Sequence, residues 1–312
     1  MDYTKKISQV TQQIPPSGIR KYFDYLDKDT ISLGVGEPDF ATPEDIRQEA
    51  LRRLSTGRIP YSSNAGMPEL RELIGAYVAD RFDLQGYEVA STLITVGASQ
   101  AIDLAVRAIT DPGDEIILPQ PTYVAYVPAV LLARGKAVVV PVEACDSFKL
   151  RADRVEAAIT PRTKAILLPF PNNPTGGIME RDDLAEIAQV AIKHDLIVIS
   201  DEIYAELTYN GKRHVSIAAL PGMRERTIVI NGFSKAFSMT GWRLGFVIGP
   251  QPLVAAMTKL HQLTMLCAPT TAQVVGIAAL KQGLANGWKD VLYMLGEYEK
   301  RRRYMVDAFN EM

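Results

Sequence analysis

From Leu93 onward the chain repeats one pattern: a short run of apolar, largely β-branched residues, a turn of small or polar residues, then a longer stretch. LITV at 93–96, EIIL at 115–118, AVVVPV at 137–142, KAILL at 164–168, LIVIS at 196–200 and TIVI at 227–230 are these runs. None alternates apolar with polar residues, so each predicts a strand buried on both faces, and the longer stretches between most of them predict helices. Strands of this kind form a largely parallel sheet covered on both sides, and the predicted class is α/β. In such sheets ligands lie beyond the carboxyl ends of the strands.

Those strand ends carry a consistent set of residues. After LITV, Gly97, Ala98, Ser99 and Gln100 predict a turn entering a helix over 101–109, whose amides and dipole suit a phosphate. After EIIL, a helix is predicted over Tyr123–Ala133, opening on an aromatic ring. After KAILL, PFPNNPTG at 169–176 is a stiff loop that fixes the amide of Asn173. After LIVIS come Asp201, Glu202, Ile203 and Tyr204; a carboxylate at a buried strand end is costly without a cation, so Asp201 predicts a positive partner. After TIVI the strand empties into a loop holding Ser234 and Lys235, and a second apolar run follows at Leu244–Ile248. Partial burial there favours the neutral amine, the form that attacks a carbonyl. Ser234 and Arg243 add a hydroxyl and a fixed cation suited to a phosphate beside that lysine.

The segments before and after are simpler. Residues 1–30 read as a polar arm, Ile31–Val35 as a short strand entering the GEPDF loop at 36–40, and Thr42–Pro43–Glu44 as a capped helix start. YSSNAG at 61–66 precedes a helix from Pro68, and Asn286–Met312 reads as a long terminal helix. A composition that is 47% hydrophobic over 312 residues supplies a sizeable core. A net charge of −2 points to neither a nucleic-acid nor a membrane-surface partner. The opening residues carry no signal-peptide apolar core and no run of bilayer-spanning length follows, so the expected location is cytoplasmic. Cys145 and Cys267 have no metal spacing and the three histidines no ligand pattern, so no metal site is expected.

Through SGIRK, GEPDF, GASQA, PNNPTGG, SDEIYAELTY and SKAFSMTGWRLG the chain resembles the class I and II aminotransferases, pyridoxal-phosphate enzymes of fold type I. It is most similar to the bacterial branch containing aromatic, aspartate and N-acetyl-diaminopimelate aminotransferases. The resemblance implies that Lys235 holds the cofactor covalently and moves a proton as base and acid. Asp201 would face the protonated pyridine nitrogen, and Asn173 and Tyr204 the ring's phenolic oxygen, with Tyr123 stacked on the ring. Ala98, Ser99, Gln100, Ser234 and Arg243 would cradle the phosphate. Tyr61 would reach the phosphate of a neighbouring subunit, implying a homodimer with shared sites. Gly36 would contact the substrate carboxylate, and the arm around Ile19 and Arg20 would bear on side-chain choice.

The implied reaction moves an amino group from an L-amino acid to a 2-oxo acid in two ping-pong halves. A C–S β-lyase on the same fold, or a cofactor-binding but inactive chain, are the alternatives. The resemblance also divides the chain into an N-terminal arm and small-domain part (1–42), a large cofactor domain (43–285) and an interdomain helix (286–312). In the family an arginine beyond that helix clamps the substrate's α-carboxylate. Here the helical pattern reaches Met312 without a stop signal, so the expectation is a C-terminally truncated chain with a complete cofactor set.

Overall fold

The computed structural model describes residues 1–15, 29–30, 36–55 and 57–312. The strand expected over 31–35, and the expected site residues Ile19 and Arg20, lie outside them. In chain order come α1 (Gln9–Gln13), α2 (Glu44–Leu54), α3 (Pro68–Phe82), β1 (Thr92–Thr95), α4 (Gly97–Ile109), β2 (Glu115–Gln120) and α5 (Tyr126–Leu132). Then follow β3 (Lys136–Pro141), α6 (Ala152–Ala157), β4 (Thr163–Leu168), α7 (Arg181–Lys193), β5 (Ile197–Asp201) and β6 (Thr227–Gly232). The single-turn α8 (Phe233–Ala236), β7 (Gly245–Ile248), α9 (Gln251–Thr264), α10 (Thr270–Asn286) and α11 (Lys289–Glu311) complete the described elements.

The strands form one sheet in the order β1-β7-β6-β5-β4-β2-β3. All neighbours run parallel except β7, which is antiparallel to both β1 and β6. The expected largely parallel sheet is present, and its reversed member is the apolar run after Lys235. Adjacent residues of one strand enter different cores: Ile116 and Leu118 pack with α4 and α5, whereas Ile117 packs with α7. That is the consequence of side chains alternating across a sheet covered on both faces, and it is why the runs are apolar throughout.

Three local expectations need correction. The turn expected at 97–100 is the first turn of α4, where the Gln100 side-chain oxygen accepts the Val96 N–H at 2.7 Å. The helix expected over Tyr123–Ala133 starts only at Tyr126. Thr42 does not cap α2; its hydroxyl donates to the Ser238 carbonyl at 2.9 Å and accepts from the Trp242 indole at 3.2 Å. A capping pattern was legible, but the loop following Lys235 offered the threonine a better-placed acceptor. The long terminal helix is confirmed as α11, and α10 ends before it at Gly287, in the left-handed region at φ 67°.

One buried ionic cluster ties α3 to the segment after β5. Glu206 accepts from the Tyr77 hydroxyl at 3.0 Å and from two nitrogens of Arg81 at 3.0 and 2.8 Å. Removing one partner of a buried pair strands the other, at about 3–5 kcal/mol. Glu206→Ala is therefore expected to lower unfolding free energy by about 3 kcal/mol in urea titrations. A loss below about 1 kcal/mol would show that Arg81 finds solvent without penalty.

Candidate active site

Lys235 sits on α8, directly beyond the carboxyl end of β6, because the strand's last hydrogen-bonded pair with β7 is Gly232 with Gly245. Its ammonium donates to the Gly36 carbonyl and lies 5.7 Å from the centre of the Tyr204 ring. Burial draws the amine's pKa below its ordinary value; Glu37 opposes that shift and the Arg243 cation reinforces it. Residues 36–42 cross this loop as a strap. Besides Gly36 and Thr42, Glu37 accepts from the Thr240 hydroxyl, and Asp39 takes a guanidinium nitrogen of Arg301 at 2.9 and 2.8 Å.

Asp201 ends β5 and is 4% exposed. The positive partner expected from its burial is not among the described protein residues: no Lys, Arg or His pairs with it. Its oxygens accept instead from the Tyr126 hydroxyl at 2.9 Å and the Ile203 N–H at 3.1 Å. Desolvation is the strongest influence and pushes this carboxyl up to about 6; the two hydrogen bonds pull it down, and the charge of Glu202 pushes it further up. Tyr126 was missed by sequence reasoning. The only signal was its place three residues after Tyr123, which puts both rings on one side of the chain entering α5. The two rings meet edge to face at 5.6 Å.

Asn173 donates to the Tyr204 hydroxyl at 3.3 Å, joining the stiff 169–176 loop to the segment after Asp201. That segment is fixed to β6 by its backbone, the Glu202 N–H donating to the Ile230 carbonyl at 2.8 Å. Lys235, Tyr204, Asn173, Asp201 and the Tyr123–Tyr126 pair thus converge from four strand ends.

Beside them lies a cradle. Gly97 opens α4 at φ +74°, and a Cβ built there would stand 2.9 Å from a guanidinium nitrogen of Arg243. A Cβ on Gly245 would stand 2.5 Å from the Gly97 carbonyl carbon and 2.7 Å from the Ala98 nitrogen. Only glycines allow β7, the helix start and Arg243 to approach this closely. Ser234 is buried, Ala98 is half-buried, and Ser99 and Arg243 are exposed. The Gln100 side-chain oxygen is engaged with the Val96 N–H.

Tyr61 stands apart. It is 81% exposed and lines a groove of about 490 Å³ with Arg53, Arg58 and Thr270, whose walls include none of the residues above. Its loop is held by the buried Gln273, whose amide accepts from the Met67 N–H at 2.7 Å and donates to the Ser62 hydroxyl at 2.9 Å.

A helix amino terminus with an adjacent guanidinium, a half-buried amine biased toward neutrality and a buried carboxylate without a protein cation together fit an aldehyde-bearing, phosphorylated aromatic cation. Residues 28–312 match the family described as aminotransferase class I and II. The chain belongs to that family. Its members use pyridoxal 5′-phosphate, and the chain is a pyridoxal-phosphate-dependent aminotransferase. A Bacillus subtilis relative, YugH, is 51% identical over 311 residues, 99% of this chain and 79% of its own length. An aspartate aminotransferase of Pyrococcus abyssi is 43% identical over 96% of this chain and 77% of its own. The solved aromatic aminotransferase of Pyrococcus horikoshii superposes with a TM-score of 0.87 at 40% identity, covering 94% of this aminotransferase and 78% of that chain. Among the described residues no helix is long and apolar enough to cross a membrane.

The buried carboxylate gives a signed pH dependence. Asp201 is raised in the folded protein, so the folded chain holds its proton more tightly than the unfolded one does. Stability without cofactor is therefore fullest below about pH 4 and falls as pH rises through the interval up to about 6. Asp201→Asn abolishes this loss, and the cofactor-free variant is expected to exceed the wild type by about 1–3 kcal/mol at pH 7.5, with the gap closing near pH 4. Urea unfolding at both pH values checks this; a gap independent of pH would place the effect in packing.

Proposed function

We propose that Lys235, Asp201 and Tyr204 are the catalytic residues of this aminotransferase, and that Asn173, Tyr123, Ala98, Ser99, Gln100, Ser234 and Arg243 complete the cofactor site. The observation that carries this reading is the pair of opposed biases: the same burial holds Lys235 toward its neutral form and Asp201 toward its acid form. A cationic ring nitrogen at Asp201 reverses the second bias, and a carbonyl within reach of Lys235 exploits the first. Bound there, pyridoxal phosphate supplies an electrophilic carbon and a sink for the electrons of the amino acid's Cα–H bond.

The chain's own groups do the rest. Lys235 Nζ would take the proton from the amino acid's Cα and deliver it to the cofactor's former carbonyl carbon, in the role of general base and then acid. Asp201 holds a negative charge against the ring nitrogen, and Tyr126 orients that carboxylate. The Tyr204 hydroxyl, placed by Asn173, donates to the ring's phenolic oxygen. Arg243, Ser234 and the backbone amides of residues 97–100 take the phosphate, while the Gln100 side-chain oxygen holds the Val96 N–H. Gly36, already against Lys235, lies where the substrate carboxylate would enter.

We further assign residues 43–285 to the cofactor domain, residues 1–42 to the arm and residues 286–312 to the interdomain helix; the break at Gly287 supports the last boundary. The amino donor is drawn from the dicarboxylic, aromatic and diaminopimelate-type amino acids, as the names of relatives suggest. Tyr61 serves the phosphate of a second copy: it is exposed on a loop fastened by Gln273, as a group that reaches across a homodimer must be.

An absorbance titration of the cofactor-loaded protein with aspartate, tyrosine, phenylalanine and LL-diaminopimelate tests the reading. One donor is expected to convert the visible spectrum of the bound cofactor, and 2-oxoglutarate to restore it. Lys235→Ala is expected to abolish both changes, lowering turnover by more than about 10³-fold. Turnover that survives the substitution would remove Lys235 from the mechanism.

A further inference from the structure

Glu202 is fully buried next to Asp201, and nothing in the amino-transfer chemistry uses it. One carboxylate oxygen accepts from the Ser200 hydroxyl at 2.8 Å and the Ser216 hydroxyl at 2.7 Å. The other lies 2.9 Å from His214 Nε2, and neither of these two atoms has a hydrogen-bond partner. The two atoms are within ion-pair distance but not aligned as a directional hydrogen bond. His214 is itself buried, its side chain 7% exposed, with its ring edge-on to Phe82 at 5.7 Å. Besides Asp201, Tyr87 senses Glu202: its hydroxyl is pushed up to about 12, first by burial and also by Glu202's charge, against the lowering pull of Arg224. Arg224 covers the Tyr87 ring at 4.7 Å rather than meeting Glu202. Among the described residues His214 is the sole basic side chain within ion-pair distance of this carboxylate.

Two carboxylates on consecutive buried residues cannot both ionise cheaply unless each meets positive charge. We propose that His214 is a positioning residue for the cofactor site: as the positive partner of Glu202 it neutralises the second buried carboxylate, which leaves Asp201 free to carry the negative charge that the cofactor's ring nitrogen requires. This inference rests on the reading of Asp201 given above. Without the imidazole, the charge of Glu202 competes with that of Asp201, and cofactor binding must drive a proton onto Glu202. His214 also lines a cavity of about 260 Å³ with Lys212 and Glu180, so the imidazole has a route for proton exchange.

The test measures pyridoxal phosphate affinity by titrating the cofactor-free protein at pH 8, together with its melting temperature. His214→Gln keeps side-chain volume and a donor but removes the charge, and is expected to weaken binding about tenfold, the equivalent of one pKa unit. Adding Glu202→Gln to it removes the uncompensated carboxylate and is expected to restore affinity to within about threefold of wild type. A purely structural role would instead lower the melting temperature of both variants and leave the double variant as weak as the single one. Wild-type affinity in H214Q, or no recovery in H214Q/E202Q, overturns the proposal. Asp201→Asn separates the two possible failures. If D201N weakens binding while H214Q does not, only the role of His214 falls; if D201N binds like wild type, Asp201 is not the counter-charge and both readings fall.

Discussion

Two backbones meet closely where Gly245 of β7 lies against Gly97 and Ala98 at the start of α4. Neither position has room for a Cβ, and Gly97 also needs its positive φ. This contact is what makes the reversed strand useful. β7 returns antiparallel beside β6, so the loop between them begins with Lys235 at the end of one strand and finishes with Arg243 at the start of the other. With β7 pressed on the helix start, the guanidinium lies beside Gly97 while the lysine lies toward Tyr204. A fully parallel connection would need a longer crossover and would carry the arginine away.

Around that contact the protein keeps several polar groups in places where water would normally be needed. Asp201, Glu202 and Glu206 are buried within one short segment after β5. Each is handled differently: Asp201 by a tyrosine hydroxyl and a backbone amide, Glu202 by two serines and His214, Glu206 by Arg81 and Tyr77. Among the described residues only the first has no basic side chain against it, and it is the one at the carboxyl end of the strand, where ligands of such sheets bind. The hydrogen bonds that Glu202 takes from two serines and Glu206 from Arg81 and Tyr77 tie this segment down on either side of Tyr204.

The sheet was legible because its strands are apolar on both faces, a pattern that few other structures produce; the strand-end rule then pointed to Asp201, Asn173 and Lys235, while the family resemblance pointed to Tyr204. What escaped were contacts made by side chains with more than one plausible partner. Thr42 had the sequence of a cap and bonds to Ser238 instead; Gln100 sat in a phosphate-type turn and closes it from within. Tyr126 is indistinguishable in sequence from a core aromatic, since its ring packs with Val130 and its neighbours while only the hydroxyl reaches Asp201. His214 lacks any local pattern, because its partner is twelve positions earlier in the chain and joined to it through an irregular loop. Such pairings are set by tertiary packing and carry no periodicity to read.

The electrostatics of the site then follow from one cause acting on two signs of charge. Burial disfavours the ammonium of Lys235 and the carboxylate of Asp201 alike, so both lean toward their neutral forms. For a nucleophile that bias is an activation, because the free electron pair is the reactive species. For a counter-charge it is a strain, relieved when a cation arrives. A ligand that presents a carbonyl to the first group and a protonated ring nitrogen to the second converts one local desolvation into both reactivity and affinity. The same argument limits what can change nearby. Under the proposed role of Asp201, any residue that alters the charge balance behind it alters the driving force for cofactor capture even without touching the cofactor, and the partner of the Glu202 carboxylate is one such residue.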